Sequence, residues 1–343
     1  MSYRTPQSRR GPVTEVLKTL NGAQCILLTT HINADGDGAG SEVALAAWLR
    51  SQGKEVWIIN PTPYPDSLGF LLPEKGWTLD PGSSDARNIA DRADLAVILD
   101  TGEWPRIGSV MGLVQKLPTV VIDHHPPGPD PIPGVSFRAP EACATGELVF
   151  DILMAAEGPW PPEAIQGLYV ALLSDTGSFR FSNTSPDTHR IAAFLLDRGA
   201  DPEELYRLVY GNVSLRRLRL LQAALGELEM DPEGDLAWIT VPPESFEELG
   251  ATADDIEGLV DYPRAIKGVE VGLLFRETAR GATKVSFRSN GDTDVNALAR
   301  EFGGGGHVRA SGALVERPLA EVRLEVLEAV RNQIRGRKGD ASE

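Results

Sequence analysis

Three short runs of aliphatic residues, each ending at a histidine or an acid, constrain this chain more than any other feature. Cys25-Ile26-Leu27-Leu28-Thr29 leads into Thr30-His31. Ala93-Asp94-Leu95-Ala96-Val97-Ile98-Leu99 ends at Asp100. Thr119-Val120-Val121-Ile122 ends at Asp123-His124-His125. Runs this apolar read as strands buried on both faces, as in a parallel sheet covered by helices. Helical spacing alternates with them, at Glu42 to Leu49, Ala144 to Ala156 and Glu163 to Leu173. Glu55 to Asn60 reads as a further strand, with Gly53 as a helix stop. The alternation predicts an α/β, doubly wound parallel sheet. Such sheets bind ligands beyond the carboxyl ends of their strands, so the acids and histidines are expected to converge.

The loop Thr30-His31-Ile32-Asn33-Ala34-Asp35-Gly36-Asp37-Gly38-Ala39-Gly40 leaves several readings open by itself. Histidine with carboxylate suits Mn²⁺, Fe²⁺, Co²⁺ or Zn²⁺, and Ca²⁺ less obviously. An Asp/Gly turn is the bland alternative. A dinucleotide fingerprint fails at Ser41 and would aim Asp37 at a pyrophosphate. A calcium loop fails for want of the acidic ladder and closing Glu. The glycines flanking Asp37 read as letting the loop turn tightly. Asp100 alone reads as a cap or turn residue; recurrence at three strand ends favours a shared site.

At 343 residues the prior is two domains. No apolar run is long enough to span a bilayer, so no membrane partner is expected. Met1 to Pro12 reads as a loose polar arm without a signal core. Two cysteines, Cys25 and Cys143, give no disulfide framework and fit a cytoplasmic setting. A net charge of −16 argues against long nucleic acid, because that binding rests on many Lys/Arg contacts. A short nucleic acid gripped locally stays open.

Pro61 to Gly76 and Pro126 to Pro133 read as Pro-rich loops. His189, in Ser185-Pro186-Asp187-Thr188-His189, reads as part of a helix start. From Asp197 to Leu228 the chain becomes charged, Leu-rich helix. Ala237 to Val241, Val269 to Phe275 and Thr283 to Arg288 read as strands. Asp254 to Val260, Val295 to Phe302 and Leu319 to Ile334 read as helices, and a charged tail follows from Arg335. The expected domains are 1–196, a helical connector at 197–224, and a smaller α+β domain at 225–343.

Four of the five histidines fall in motifs. A two-metal hydrolytic site needs several carboxylates, one bridging, plus imidazoles. His31, Asp35, Asp37, Asp100, His124 and Asp175 supply that inventory, and Asp123 is placed to orient the histidines beside it. Gly303-Gly304-Gly305-Gly306-His307 lacks a P-loop ending. It reads either as a flexible turn or helix cap, or as a backbone surface that a phosphate can approach. Arg288, in Ser286-Phe287-Arg288-Ser289, could fork onto phosphate oxygens or sit on a strand edge as a surface residue.

In this order, His31-x3-Asp35-x-Asp37, Asp100, Asp123-His124-His125, Ser174-Asp175-Thr176-Gly177 and Gly-Gly-Gly-Gly-His resemble the DHH phosphoesterase family with its DHH-associated C-terminal domain. The similarity is to its NrnA type, bifunctional oligoribonucleases and phosphatases of 3′-phosphoadenosine 5′-phosphate (pAp). It extends to Gly177-Ser178-Phe179-Arg180-Phe181-Ser182-Asn183 and Asn296-Ala297-Leu298-Ala299, and covers nearly the whole chain. The resemblance implies two Mn²⁺ ions, with Co²⁺ or Mg²⁺ as substitutes. His31, Asp35 and Asp100 would hold one. Asp37, Asp100, His124 and Asp175 would hold the other, with Asp100 bridging. His125 would face the scissile phosphate and Asp123 would orient the pair. Substrate would lie between the domains, gripped by Ser286, Arg288 and Gly303 to His307. Very short RNA would yield 5′-mononucleotides, and pAp would yield AMP and phosphate. A homodimer is compatible with the resemblance.

Three rivals remain. A manganese pyrophosphatase shares the N-terminal motifs, but its Ser-Arg-Lys-Lys-like run is missing here. A cyclic or linear dinucleotide (c-di-AMP or pApA) phosphodiesterase is permitted by the C-terminal motif. A non-catalytic nucleotide sensor is disfavoured by the complete ligand set. A processive single-strand exonuclease is disfavoured by the acidic balance.

Overall fold

The structure is a computed structural model, and it describes residues 3–72, 76–156, 158–256, 258–278 and 280–340. The chain divides into two compact units, Met1–Asn212 and Val213–Glu343.

The first unit is built on five parallel strands: β1 (Cys25–Thr29), β2 (Glu55–Ile58), β3 (Leu95–Leu99), β4 (Thr119–Asp123) and β5 (Val135–Arg138). Their order is β2-β1-β3-β4-β5, every pair parallel. Successive side chains leave opposite faces. Ile26, Leu28, Val97 and Leu99 enter one core, and Leu27, Ala96 and Ile98 the other. Both faces are covered, which is why the central runs are apolar throughout. Helices Gln7–Gly22, Gly36–Ser51, Thr145–Ala156 and Pro162–Asp175 cover the first face, and Ser84–Arg92 the second. The doubly wound α/β expectation holds. Strand order reverses between β1 and β3, the switch point where such sheets bind ligands.

Three expectations change. Met1 to Pro12 is not a loose arm where it is described. Gln7 starts a helix to Gly22, with Val13, Val16 and Leu20 buried. Arg9, 3% exposed, donates to Glu147 at 2.6 Å, Asp151 at 3.3 Å and Glu141 at 3.2 Å. Met1 and Ser2 lie outside the described residues. The connector at 197–224 does not stand alone: helix Pro202–Tyr210 sends Leu205 into the first unit's core, and helix Leu215–Gly226 sends Leu220 and Ala224 into the second unit's. Pro61 to Gly76 carries a 3-10 helix, Asp66–Leu71, and residues 73–75 of it lie outside the described set.

The second unit is a mixed sheet of six strands: β6 (Glu229–Met230), β7 (Leu236–Val241), β8 (Val271–Glu277), β9 (Thr283–Ser289), β10 (Gly305–His307) and β11 (Ala310–Val315). Their order is β10-β11-β9-β8-β7-β6. Helices Val295–Glu301 and Leu319–Asp340 pack on it through Val295, Leu298, Val322, Val326 and Val330. This is the expected α+β domain. The final helix runs past Ile334 into the expected tail, whose residues 341–343 lie outside the described set.

Candidate metal centre

His31 follows β1, Asp100 follows β3, and Asp123, His124 and His125 close β4, so three neighbouring strands deliver their ends to one place. Helix Gly36–Ser51 starts beside them, capped by Asp35. The Asp35 Oδ1 accepts from Asp37 N–H at 3.0 Å and Gly38 N–H at 3.1 Å. Gly36 and Gly38 therefore lie in a helical turn and do not make the tight loop that the sequence suggested. They are glycines because of neighbours: a Cβ on Gly36 would lie 2.6 Å from the Ser174 Cβ, and one on Gly38 2.6 Å from Thr30 Oγ1. Asp175 closes helix Pro162–Asp175, after which Gly177, Ser178 and Phe179 all adopt positive φ.

These side chains meet in three overlapping triads whose ligand atoms lie within 4.8 Å of one another: His31, Asp35 and Asp100; Asp37, His124 and Asp175; and Asp100, His124 and His125. Asp100 joins them. Its Oδ2 lies 3.3 Å from His31 Nε2, and its Oδ1 lies 3.6 Å from His124 Nε2. Asp100 is also held at φ 59, a conformation non-glycine residues rarely adopt and one that clusters at functional sites.

Backbone carbonyls aim the imidazoles. His31 Nδ1 lies 3.0 Å from the Ile32 carbonyl, and His124 Nδ1 3.2 Å from that of Ala142. With each Nδ1 held at a carbonyl, each Nε2 is turned toward the carboxylates, the orientation a metal ligand needs. His124 Nε2 lies 3.7 Å from Asp37 Oδ2 and 3.6 Å from Asp175 Oδ2. His125 differs: its Nδ1 meets Asp123 Oδ1 at 2.8 Å, and Arg138 Nη2 meets the other Asp123 oxygen at 3.4 Å.

The electrostatics match this donor set. Burial and the Asp100 and Asp175 charges push the Asp37 carboxyl well above its usual range. Burial also lifts Asp175 to about 7, with Asp100 adding to it against the pull of His124. Burial would raise Asp100 too, but the His31 hydrogen bond and the other histidines hold it below the carboxylate range. Burial would lower His31, yet Asp100 and Asp35 raise it to about 9. Buried acids that resist ionising beside inward-facing imidazoles form a pocket short of positive charge. The donors fit divalent cations: mixed imidazole and carboxylate, each imidazole pre-aimed.

In the second unit, pairing sets His307 opposite Ala310, Ala310 opposite Arg288, Gly305 opposite Gly312, and Gly312 opposite Ser286. Paired and alternate residues share a face, so Ser286, Arg288, Gly305 and His307 share one. Val285 and Phe287 fill the core on the other. The glycine run is not a flexible turn. Gly303, at φ 75, follows helix Val295–Glu301, and Gly305 and Gly306 belong to edge strand β10. A Cβ at Gly304 or Gly306 would run into the backbone of β11.

Sequence reasoning missed Thr145, whose hydroxyl donates to Asp100 at 2.9 Å and whose N–H donates to Asp37 at 2.6 Å. It also left unassigned Asn183, whose amide donates to the Asp175 carbonyl at 3.0 Å. Asn183 closed a motif that had been noticed; Thr145 gave no signal beyond starting a helix.

The description "DHH family, N-terminal domain" matches residues 25–172, and "DHHA1 domain" matches residues 239–336. The chain is 34% identical to the bifunctional oligoribonuclease and PAP phosphatase NrnA of Thermus thermophilus, over 94% of this chain and 93% of that protein. The chain belongs to the DHH family. The DHH match takes in the candidate site residues from His31 to His125, with Asp175 just past its end. NrnA of Bacillus subtilis is 29% identical over 88% of this chain and 93% of its own. An exopolyphosphatase-related protein from Bacteroides fragilis has a crystal structure that matches at TM-score 0.87 and 28% identity, covering 97% of this chain and 98% of that one. RecJ of Thermus thermophilus, solved with Mn²⁺, shares the DHH fold at TM-score 0.57 and 16% identity, over 96% of this chain and 56% of that one. The DHH resemblance carried by the motifs is borne out.

Proposed function

We propose that this chain is a metal-dependent phosphoesterase that hydrolyses short oligoribonucleotides to 5′-mononucleotides and pAp to AMP and phosphate. The observation that carries the reading is Asp100, whose two oxygens face two different histidines and which belongs to two of the triads. NrnA relatives that match nearly end to end support the substrate class. His31, Asp35 and Asp100 would hold one Mn²⁺, and Asp37, Asp100, His124 and Asp175 a second. Co²⁺ or Mg²⁺ suit the same donors less specifically.

When bound, such a pair supplies Lewis-acid charge at the phosphoryl group and an acidified water. The chain's residues do the rest. Asp100 keeps the triads in one register. Asp123 fixes the His125 ring through Nδ1. Burial opposes the charged ring, but the Asp123 bond and the Asp100 charge raise the His125 pKa. That shift favours the protonated ring, which would then have an N–H to offer the developing charge or the leaving oxygen. Ser286, Arg288 and the segment from Gly303 to His307 take the part of the substrate that does not react, spending its binding energy on positioning.

The reading takes short, not long, nucleic acid as substrate. No helix among the described residues is long and apolar enough to cross a bilayer. Both cysteines are free and buried, which suits the cytoplasm.

The test is a substrate panel of pAp, pApA, c-di-AMP, RNA of two to five nucleotides and inorganic pyrophosphate, with Mn²⁺ and with chelator. AMP from pAp and mononucleotides from short RNA, both lost in chelator, are expected. Pyrophosphate as the preferred substrate, or turnover that ignores chelator, overturns the reading.

A further inference from the structure

Five consecutive residues, Ala142-Cys143-Ala144-Thr145-Gly146, reach four of the metal-ligand side chains. The Ala142 carbonyl meets His124 Nδ1 at 3.2 Å. The Cys143 carbonyl accepts from Asn183 Nδ2 at 2.9 Å, and the same amide meets Asp175 Oδ2 at 3.4 Å. Thr145 and Gly146 open helix Thr145–Ala156 and donate both N–H groups to Asp37, at 2.6 Å to Oδ2 and 2.9 Å to Oδ1. The Thr145 hydroxyl donates to Asp100 Oδ1 at 2.9 Å.

We propose that Thr145 is the positioning residue that sets Asp37 and Asp100 relative to one another, and so sets the spacing on which metal binding depends. This rests on the reading of the centre as a metal site. Asp37 comes from a helix and Asp100 from the end of β3. Nothing covalent near the centre relates them, and their like charges drive them apart. Thr145 is wholly buried and bonds to one oxygen of each. Its N–H comes from a helix N-terminus, where aligned peptide dipoles favour a carboxylate. Its hydroxyl, fixed by the restricted χ1 of a β-branched residue, turns one Asp100 oxygen toward His124 and leaves the other to His31. The anchor behind is firm: Glu147 accepts from Cys143 N–H at 2.9 Å and is paired with buried Arg9 at 2.6 Å.

Thr145→Val isolates the hydroxyl, because it keeps the shape and the N–H that holds Asp37. Thr145→Ser restores the hydroxyl without the methyl. Mn²⁺ affinity of the metal-stripped full chain is measured by calorimetry, alongside urea unfolding in chelator. Partners one step removed from a metal typically cost 10–100-fold in affinity when lost, so Thr145→Val should weaken Mn²⁺ binding by about that much. Thr145→Ser should recover most of it, with unfolding midpoints close together. Thr145→Ala serves the same purpose if Thr145→Val does not fold. Mn²⁺ affinity unchanged in the hydroxyl-less variant, or equal loss in Thr145→Ser, overturns the proposal. A wild-type chain that binds Mn²⁺ but turns over no phosphoester sinks the functional reading and leaves this one standing. A wild-type chain that binds no divalent cation sinks both.

Discussion

His31 and Asp100 meet at 3.3 Å across the switch point of the first sheet, with the far nitrogen of the imidazole already bound to the Ile32 carbonyl. The contact lets one carboxylate serve two triads, and the strongest expectation follows from it. Asp100→Asn should abolish tight divalent-metal binding. It should lower phosphoester hydrolysis by more than about a hundredfold, beyond the loss of an outer partner. The metal-free protein should stay folded, since one of several crowded charges has gone. Metal analysis after dialysis, with turnover of pAp, checks this; wild-type values for both would remove Asp100 from the centre.

Glu42 gives a pH dependence whose sign can be fixed. It is fully buried: Oε2 accepts from Tyr64 at 2.6 Å and Asn60 at 2.8 Å, and Oε1 has no partner among the described residues. Burial pushes the carboxyl from 4.5 up to about 7, against both hydrogen bonds. Folding thus favours the neutral acid. That contribution is complete below pH 4.5 and is lost as pH rises through about 7. The gap amounts to roughly 3 kcal/mol. Glu42→Gln should match wild type near pH 4.5 and be more stable by about that amount at pH 8. Urea midpoints in chelator at both pH values measure it, and parallel behaviour of the two proteins would contradict it.

Arg9 and Glu141 form a contrasting pair. Arg9→Met leaves Glu147 and Asp151 buried without their cation and should cost about 3–5 kcal/mol. Glu141 is 61% exposed at its side chain, so Glu141→Ala should cost under about 1 kcal/mol. Denaturant unfolding of the two variants settles the difference.

Gly40 lies where helix Gly36–Ser51 crosses helix Pro162–Asp175, and a Cβ there would collide with the Gly167 carbonyl. Gly40→Ala should force the helices apart and destabilise by about 1–3 kcal/mol. It should also weaken Mn²⁺ binding, because Asp37 and Asp175 ride on those two helices. Intact metal affinity with reduced stability would show that the site tolerates the shift.

Arg288→Ala and His307→Ala should spare metal content while cutting kcat/KM on pAp and dinucleotides. A charge-assisted bond to phosphate contributes roughly 1.5–3 kcal/mol, or about ten- to a hundredfold. A small chromogenic phosphodiester should be little affected. Equal losses on both substrates would remove the second unit's sheet face from substrate binding.

The inner strands were legible because burial on two faces writes itself as uninterrupted Val, Ile and Leu. β5 was not: Val135-Ser136-Phe137-Arg138 is half exposed and follows a Pro-rich turn, so its composition matches a loop. The residues of the candidate centre announced themselves by type and position. Their outer partners did not, because Thr145 and Arg138 acquire meaning only from carboxylates far along the chain. The opening of the first helix was missed because its buried residue before Pro12 is an arginine, and solvation or pairing of a lone Arg cannot be told apart without its partners. β10 was missed because glycine that yields to a neighbouring backbone spells the same letters as glycine that turns.

The docking of Arg9 also has a consequence for synthesis. Its partners Glu147 and Asp151 lie about 140 positions further on, so helix Gln7–Gly22 cannot be seated during synthesis until much of the first unit has followed it. At ordinary elongation rates that delay is on the order of ten seconds. Throughout it, the Val13, Val16 and Leu20 stripe has no core to enter, so this helix presents its apolar face to solvent on the nascent chain.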